Sequence, residues 1–286
     1  MEDTRPSVAS VQIGRVNGPE ATATPDLLVI EEPLEMQLGH GPADERRSES
    51  VSVTMRTPGH DFELVAGFFY AEALLDDWTQ VEKIAYCTAV ERPEELGNVV
   101  KMALKPGRHA SLDRLQRHFY ASSSCGVCGK ASIEALELVG CAVFPQDDGP
   151  KWSAEAIHAL PETARAAQTV FKHTGGIHAA TLFDASGRVL CTREDVGRHN
   201  TVDKVVGTML MAGKVPMSEH LMLVSGRAGF ELVQKAVRAG IRIMASVGAP
   251  SSLAVDLARE YNMTLLGFVR NERFNIYSGA QRILLK

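Results

Sequence analysis

The chain has 286 residues, 30 basic and 35 acidic side chains for a formal charge of -5, and an apolar fraction of 45%. That length holds one large domain or two small ones, the composition is that of a globular protein folding in water, and the dispersed, slightly acidic charge disfavours nucleic-acid binding through a basic surface. No apolar run approaches the roughly 20 residues that cross a bilayer. The start, Met1-Glu2-Asp3-Thr4-Arg5, lacks a signal-peptide apolar region, so a cytoplasmic protein without membrane association is expected.

Residues 1–25 are rich in Pro, Gly, Ala, Thr and Ser without a period, which predicts a disordered tail. Residues 26–120 read as a small α+β subdomain. Asp61 is placed to cap a helix with Leu64, Val65, Phe68, Phe69 and Leu75 on its apolar face, and Val100, Met102 and Leu104 alternate with Lys101 and Lys105 as in a strand. Residues 121–130 read as a mobile loop, and residues 131–286 as an α/β subdomain.

Within that last region, residues 177–183 and 188–192 predict a hairpin about Asp184-Ala185-Ser186-Gly187, followed by a helix over 201–212 capped by Asn200. The segments 221–224, 230–239, 241–247, 251–261 and 263–269 then alternate as βαβαβ. Such units build parallel sheets whose ligands lie beyond the carboxyl ends of the strands.

Five cysteines are present. Cys87, Cys141 and Cys191 sit among apolar residues and read as small buried hydrophobes, which leaves one close pair. Ser122-Ser123-Ser124-Cys125-Gly126-Val127-Cys128-Gly129-Lys130 sets two thiols between glycines, with Lys130 and the start of a following helix favouring thiolate. A reactive pair for redox or sulfur transfer, half of a zinc site, and two inert cysteines all fit. A structural zinc site needs about four ligands, and with no second Cys-x-x-Cys and no close histidine pair, no zinc is expected.

Two further clusters are polar. Thr174-Gly175-Gly176-Ile177-His178 and Glu194-Asp195-Val196-Gly197-Arg198-His199-Asn200 combine close-approach glycines with cations ahead of a helix, which suits an anion or simple capping. Ser225-Gly226-Arg227, Gly248-Ala249-Pro250-Ser251-Ser252 and Arg270-Asn271-Glu272-Arg273 follow the three parallel strands and should share one edge as a phosphate-binding rim, with Phe268 able to stack a base or line the pocket. Zinc nucleobase deaminases carry His-x-Glu followed by Pro-Cys-x-x-Cys. Here no glutamate follows His178 and the cysteine pair precedes it, so deamination is not expected.

Glu32-Pro33-Leu34, Arg56-Thr57-Pro58-Gly59, Gly67-Phe68, residues 124–129, 174–179 and 194–200, Ser225-Gly226-Arg227 and residues 249–255, in this order, resemble the FdhD family of formate dehydrogenase accessory sulfurtransferases. Arg242, Gly248 and Gly229 depart from that pattern, where Pro, Ser and Ser are usual. The resemblance implies a cytidine deaminase-like fold for the α/β subdomain. It also implies a homodimer and a carrier taking persulfide sulfur from a cysteine desulfurase to the molybdenum bis-guanine-dinucleotide cofactor of formate dehydrogenase. Cys125 then matches the persulfide cysteine and Cys128 its partner, while Phe268, Val269, Arg270, Asn271, Glu272 and Arg273 match the cofactor-binding stretch. Two other classes compete, a thiol-disulfide oxidoreductase needing only the cysteines and a regulatory module needing only the nucleotide pocket.

Overall fold

The computed structural model describes residues 5–90, 92–108, 141–146 and 149–285. The Cys125/Cys128 pair and Lys130 lie outside them. The chain opens on an antiparallel hairpin, β1 (Val8–Asn17) with β2 (Glu20–Val29), where a disordered tail was expected. Gly18, at φ +60°, followed by Pro19 closes a two-residue turn, and the β-branched Val16, Thr22 and Thr24 favour extended backbone on either side.

The first sheet has the order β4-β3-β6-β5, from β3 (Glu32–His40), β4 (Arg47–Arg56), β5 (Val81–Tyr86) and β6 (Val99–Leu104), and packs on helix α1 (Asp61–Ala71). Asp61 does not cap α1. His60 occupies the cap position, and the Asp61 carboxylate binds the Arg56 guanidinium at 3.0–3.1 Å, both side chains 0% exposed. A buried arginine is the stronger partner for a carboxylate than backbone amides at a helix start.

After the short strand β7 (Trp152–Ser153) come helices α2 (Ala154–Ala166) and α3 (Thr169–Thr174). A six-stranded sheet follows, ordered β13-β12-β11-β10-β8-β9. Its strands are β8 (His178–Phe183), β9 (Val189–Asp195), β10 (Leu221–Val224), β11 (Ile243–Ser246), β12 (Thr264–Arg270) and β13 (Arg273–Ser278). As expected, β10, β11 and β12 run parallel. Helices α4 (Arg198–Met211), α5 (Phe230–Arg238) and α6 (Ser252–Glu260) cover one face, α2 covers the other, and β14 (Ile283–Leu284) pairs with β7.

The central strands are buried on both faces with period two. Met222, Val224 and Met244 enter the core under α4 to α6, while Leu221, Leu223, Ile243 and Ala245 pack under α2 with Trp152, Ile157 and Leu160. The first core also takes Leu34, Met36, Leu64 and Val65, so the first sheet and the second share one apolar interior. Helices α1 and α4 cross where Gly67 meets the Asp203 carbonyl and Gly207 meets the Glu63 carbonyl, with no room for a Cβ at either glycine. Nearby, Arg193 clamps Glu63 through a short contact and a 2.8 Å hydrogen bond. Burial pushes the Glu63 carboxyl up, but its bonds to Arg193 and His60 outweigh that and hold it at about 2. The clamp therefore stabilises the fold above the ordinary glutamate range and is lost only as pH falls toward that value.

Candidate functional site

The turns after β10, β11 and β12 are stitched together beyond the regular sheet pairing. The Gly248 N–H donates to the Gly226 carbonyl at 3.1 Å, and the Phe268 N–H donates to the Gly248 carbonyl at 3.0 Å. A Cβ on Gly248 would stand 3.1 Å from the Gly226 oxygen, so the small residue permits this approach. The three predicted turns do share one edge.

The third of them is not a turn into a helix. Asn271 and Glu272, at φ +50° and +56°, form a two-residue hairpin turn, with Arg270 paired to Arg273 across it. Phe268 is itself at φ +55°, a rare conformation for an aromatic residue, within a bulge of β12. The bulge leaves Phe268 half-buried and Val269 in the core, and it sends Arg270 outward, its guanidinium 5.9 Å from the Phe268 ring.

Against this edge lies a cavity of about 660 Å³, walled on the far side by α2 and α3. Arg270, Ser225 and His178 face it from the sheet, Val196 from the loop after β9, and Arg165, Gln168 and Phe171 from the helices. The Arg165 guanidinium lies 3.9 Å above the Phe171 ring, giving a flat, cationic surface. Gly175, at φ +65°, ends α3 and brings the backbone of Gly176 to the rim.

His178 is half-buried at the start of β8, its ring over the Gly226 turn. Burial, then the neighbouring Arg198 and His199, hold it below the ordinary histidine range, so it presents a neutral ring at neutral pH. His199 is paired to Glu231 at 2.8 Å. Arg198 opens α4 and is exposed, and neither it nor Arg227 lines the cavity. Of Phe268 to Arg273, Arg270 alone does so.

Asn200, expected as a helix cap, lies in the first turn of α4, with Gly197 at the cap. Its amide donates instead to Asp195 Oδ1 and to the Met55 carbonyl, both at 2.8 Å. Glu194 faces the other way along β9, its carboxylate accepting the N–H groups of Val170 at 2.9 Å and Phe171 at 2.7 Å, at the start of α3. Glu194→Ala should lower stability by ~1 kcal/mol, the usual value of a helix cap, and loosen the Phe171 wall, as a thermal melt and proteolysis within 168–175 would show.

The pattern of the FdhD/NarQ family matches residues 29–284. The chain belongs to that family. It is 46% identical over 275 residues to the sulfur carrier protein FdhD of Streptomyces avermitilis, covering 95% of this chain and 94% of that one. Its identity to the sulfur carrier protein FdhD of Mycolicibacterium paratuberculosis is 47%, with 92% and 94% covered, and to that of Sulfurisphaera tokodaii 38%, with 97% and 99% covered. A crystal structure from Desulfotalea psychrophila, described as a candidate formate dehydrogenase accessory protein, superposes with a TM-score of 0.73 over 98% of this chain and 100% of that one. At 22% identity that likeness bears on the fold, and it establishes this FdhD/NarQ chain as α/β of the same architecture. Among the described residues no helix is long and apolar enough to cross a membrane.

Arg165, Gln168 and Phe171 were not singled out from the sequence. The signal for α2 was there, since Ser153 accepts the Ala156 N–H as a cap and Ile157, Leu160 and Ala164 recur at helical spacing.

Proposed function

We propose that this FdhD/NarQ chain is a sulfur carrier. It takes a persulfide sulfur from a cysteine desulfurase onto Cys125 and passes it to a molybdenum bis-guanine-dinucleotide cofactor destined for formate dehydrogenase. The observation supporting a nucleotide ligand is the cavity at the parallel-strand edge, with Arg270 and Arg165 on opposite sides and apolar walls between them. Its volume lies within the roughly 300–1,000 Å³ of small-molecule sites, enough for one nucleotide end of such a cofactor. Phe171 with Arg165 offers a base a stacking surface, and Arg270 offers a phosphate a planar pair of donors.

In the chemistry, the Cys125 thiolate attacks the outer sulfur of the desulfurase persulfide. A Cys125 persulfide forms and the desulfurase thiolate leaves. Cys128 then attacks the inner sulfur, forming the Cys125–Cys128 disulfide and expelling hydrosulfide toward the acceptor, and an external dithiol must reduce the disulfide before the next cycle. The cavity's part is to hold and orient the ligand. A thiol-disulfide oxidoreductase would use the same cysteines but leave the cavity without a task.

Calorimetry with GDP tests the nucleotide reading. Arg270→Ala should weaken GDP binding about tenfold, the value of one charge-assisted phosphate contact, with the melting temperature little changed because Arg270 is exposed. Equal affinity for GDP in the variant and the parent would remove Arg270 from the site.

A further inference from the structure

Thr57 belongs to the small subdomain, yet its polar groups bond across the boundary to the strand and loop beside the cavity. Its N–H donates to Asp195 Oδ2 at 3.2 Å, its carbonyl accepts from Lys204 Nζ at 3.0 Å, and its hydroxyl accepts the Val196 N–H at 3.2 Å. Lys204 and Asp195 are themselves paired at 2.6 Å with side chains 1% and 0% exposed, so Thr57 is seated on a buried, fully bonded platform.

Thr57 is also anchored from its own side. Arg56 before it is locked by Asp61, and Pro58 after it has a fixed φ, so the hydroxyl is presented on a rigid turn. What it holds is the cavity wall. Val196 lines the cavity, and Gly197, Arg198 and His199 follow directly as the cap and first turn of α4, with Arg198 and His199 close enough to act on His178.

We propose that Thr57 is a positioning residue for the ligand cavity. Its hydroxyl fixes Val196 and the start of α4, so the small subdomain sets the geometry in which the larger one binds its ligand. The proposal rests on the reading of the cavity as a nucleotide site. It assigns the Arg56-Thr57-Pro58 turn, which contributes nothing to the cavity lining, a role in ligand affinity.

The test compares Thr57→Val, which keeps the shape and removes the acceptor, with Thr57→Ser, which keeps the hydroxyl. GDP affinity is measured by calorimetry, stability by thermal melting, and hydrogen exchange at the Val196 amide in the ligand-free full chain. The valine variant should bind GDP about tenfold more weakly and exchange Val196 faster, as expected when a half-buried N–H loses its acceptor, with serine restoring both. Valine binding GDP like the parent, with Val196 exchange unchanged, would overturn the proposal. So would valine and serine losing affinity equally and in step with their melting temperatures, the mark of a purely structural role. A parent chain that binds no GDP would sink the nucleotide reading instead, and Val196 exchange would then decide the coupling, faster in valine supporting it and unchanged refuting it.

Discussion

Gly207→Ala should destabilise the protein by about 3 kcal/mol in urea denaturation, at the upper end of the usual cost of overpacking. In an exposed helix interior the same change stabilises by roughly 1 kcal/mol, because alanine restricts the unfolded chain and favours helix. Here a Cβ would lie 1.8 Å from the Glu63 carbonyl oxygen, and the reciprocal change at Gly67 would put one 1.9 Å from the Asp203 oxygen. Both obstacles are backbone, so α1 and α4 must separate. Separation also disturbs the Asp203–Lys235 pair, held at 2.8 and 3.0 Å beside the crossing. Gly14→Ala, with open space around it, is the control and should change stability little. Gly207→Ala matching the parent in urea would mean that this crossing does not hold α1 against α4.

Lys204→Met should cost on the order of 4 kcal/mol, the range for breaking one side of a buried ion pair. Asp195 would keep its N–H donors from Thr57, Gly197 and Asn200 but lose its only cation among the described residues, in a site with no exposure. Urea denaturation of the variant beside the parent measures the deficit. A deficit below about 1 kcal/mol would mean that water reaches the pair.

Much of this arrangement was legible in the sequence where one segment carried its own signal. Residues 221–224 and 243–246 are short apolar runs bounded by Gly226, Gly240 and Gly248, and their parallel pairing and shared edge followed from the βαβ alternation. What was misread depends on partners distant in sequence. Asp61 and Asn200 are good caps by type, but Arg56 and Asp195 claim them. Helix α3 spans six residues, and its start is held by Glu194 from another strand, so no local pattern announced it. Helix α2 went unread, although Pro161 inside it is tolerated where Ile157, Leu160 and Ala164 are buried against the sheet. Because Arg165 and Phe171 sit on those two helices, the back wall of the cavity was lost with them. The hairpin at 8–29 was misread because its Ala, Thr and Pro residues carry little apolar alternation, although Gly18-Pro19 marked its turn.

The central claim, that sulfur is carried on Cys125, is tested most directly by incubating the full chain with a cysteine desulfurase and cysteine and weighing it intact beside its Cys125→Ala variant. The account predicts a gain of one or more sulfur atoms on the parent, reversed by a reducing thiol and absent from the variant. No gain on the parent with an active desulfurase, together with a reversible loss of two hydrogens on oxidation, would contradict it and make the cysteine pair a redox couple.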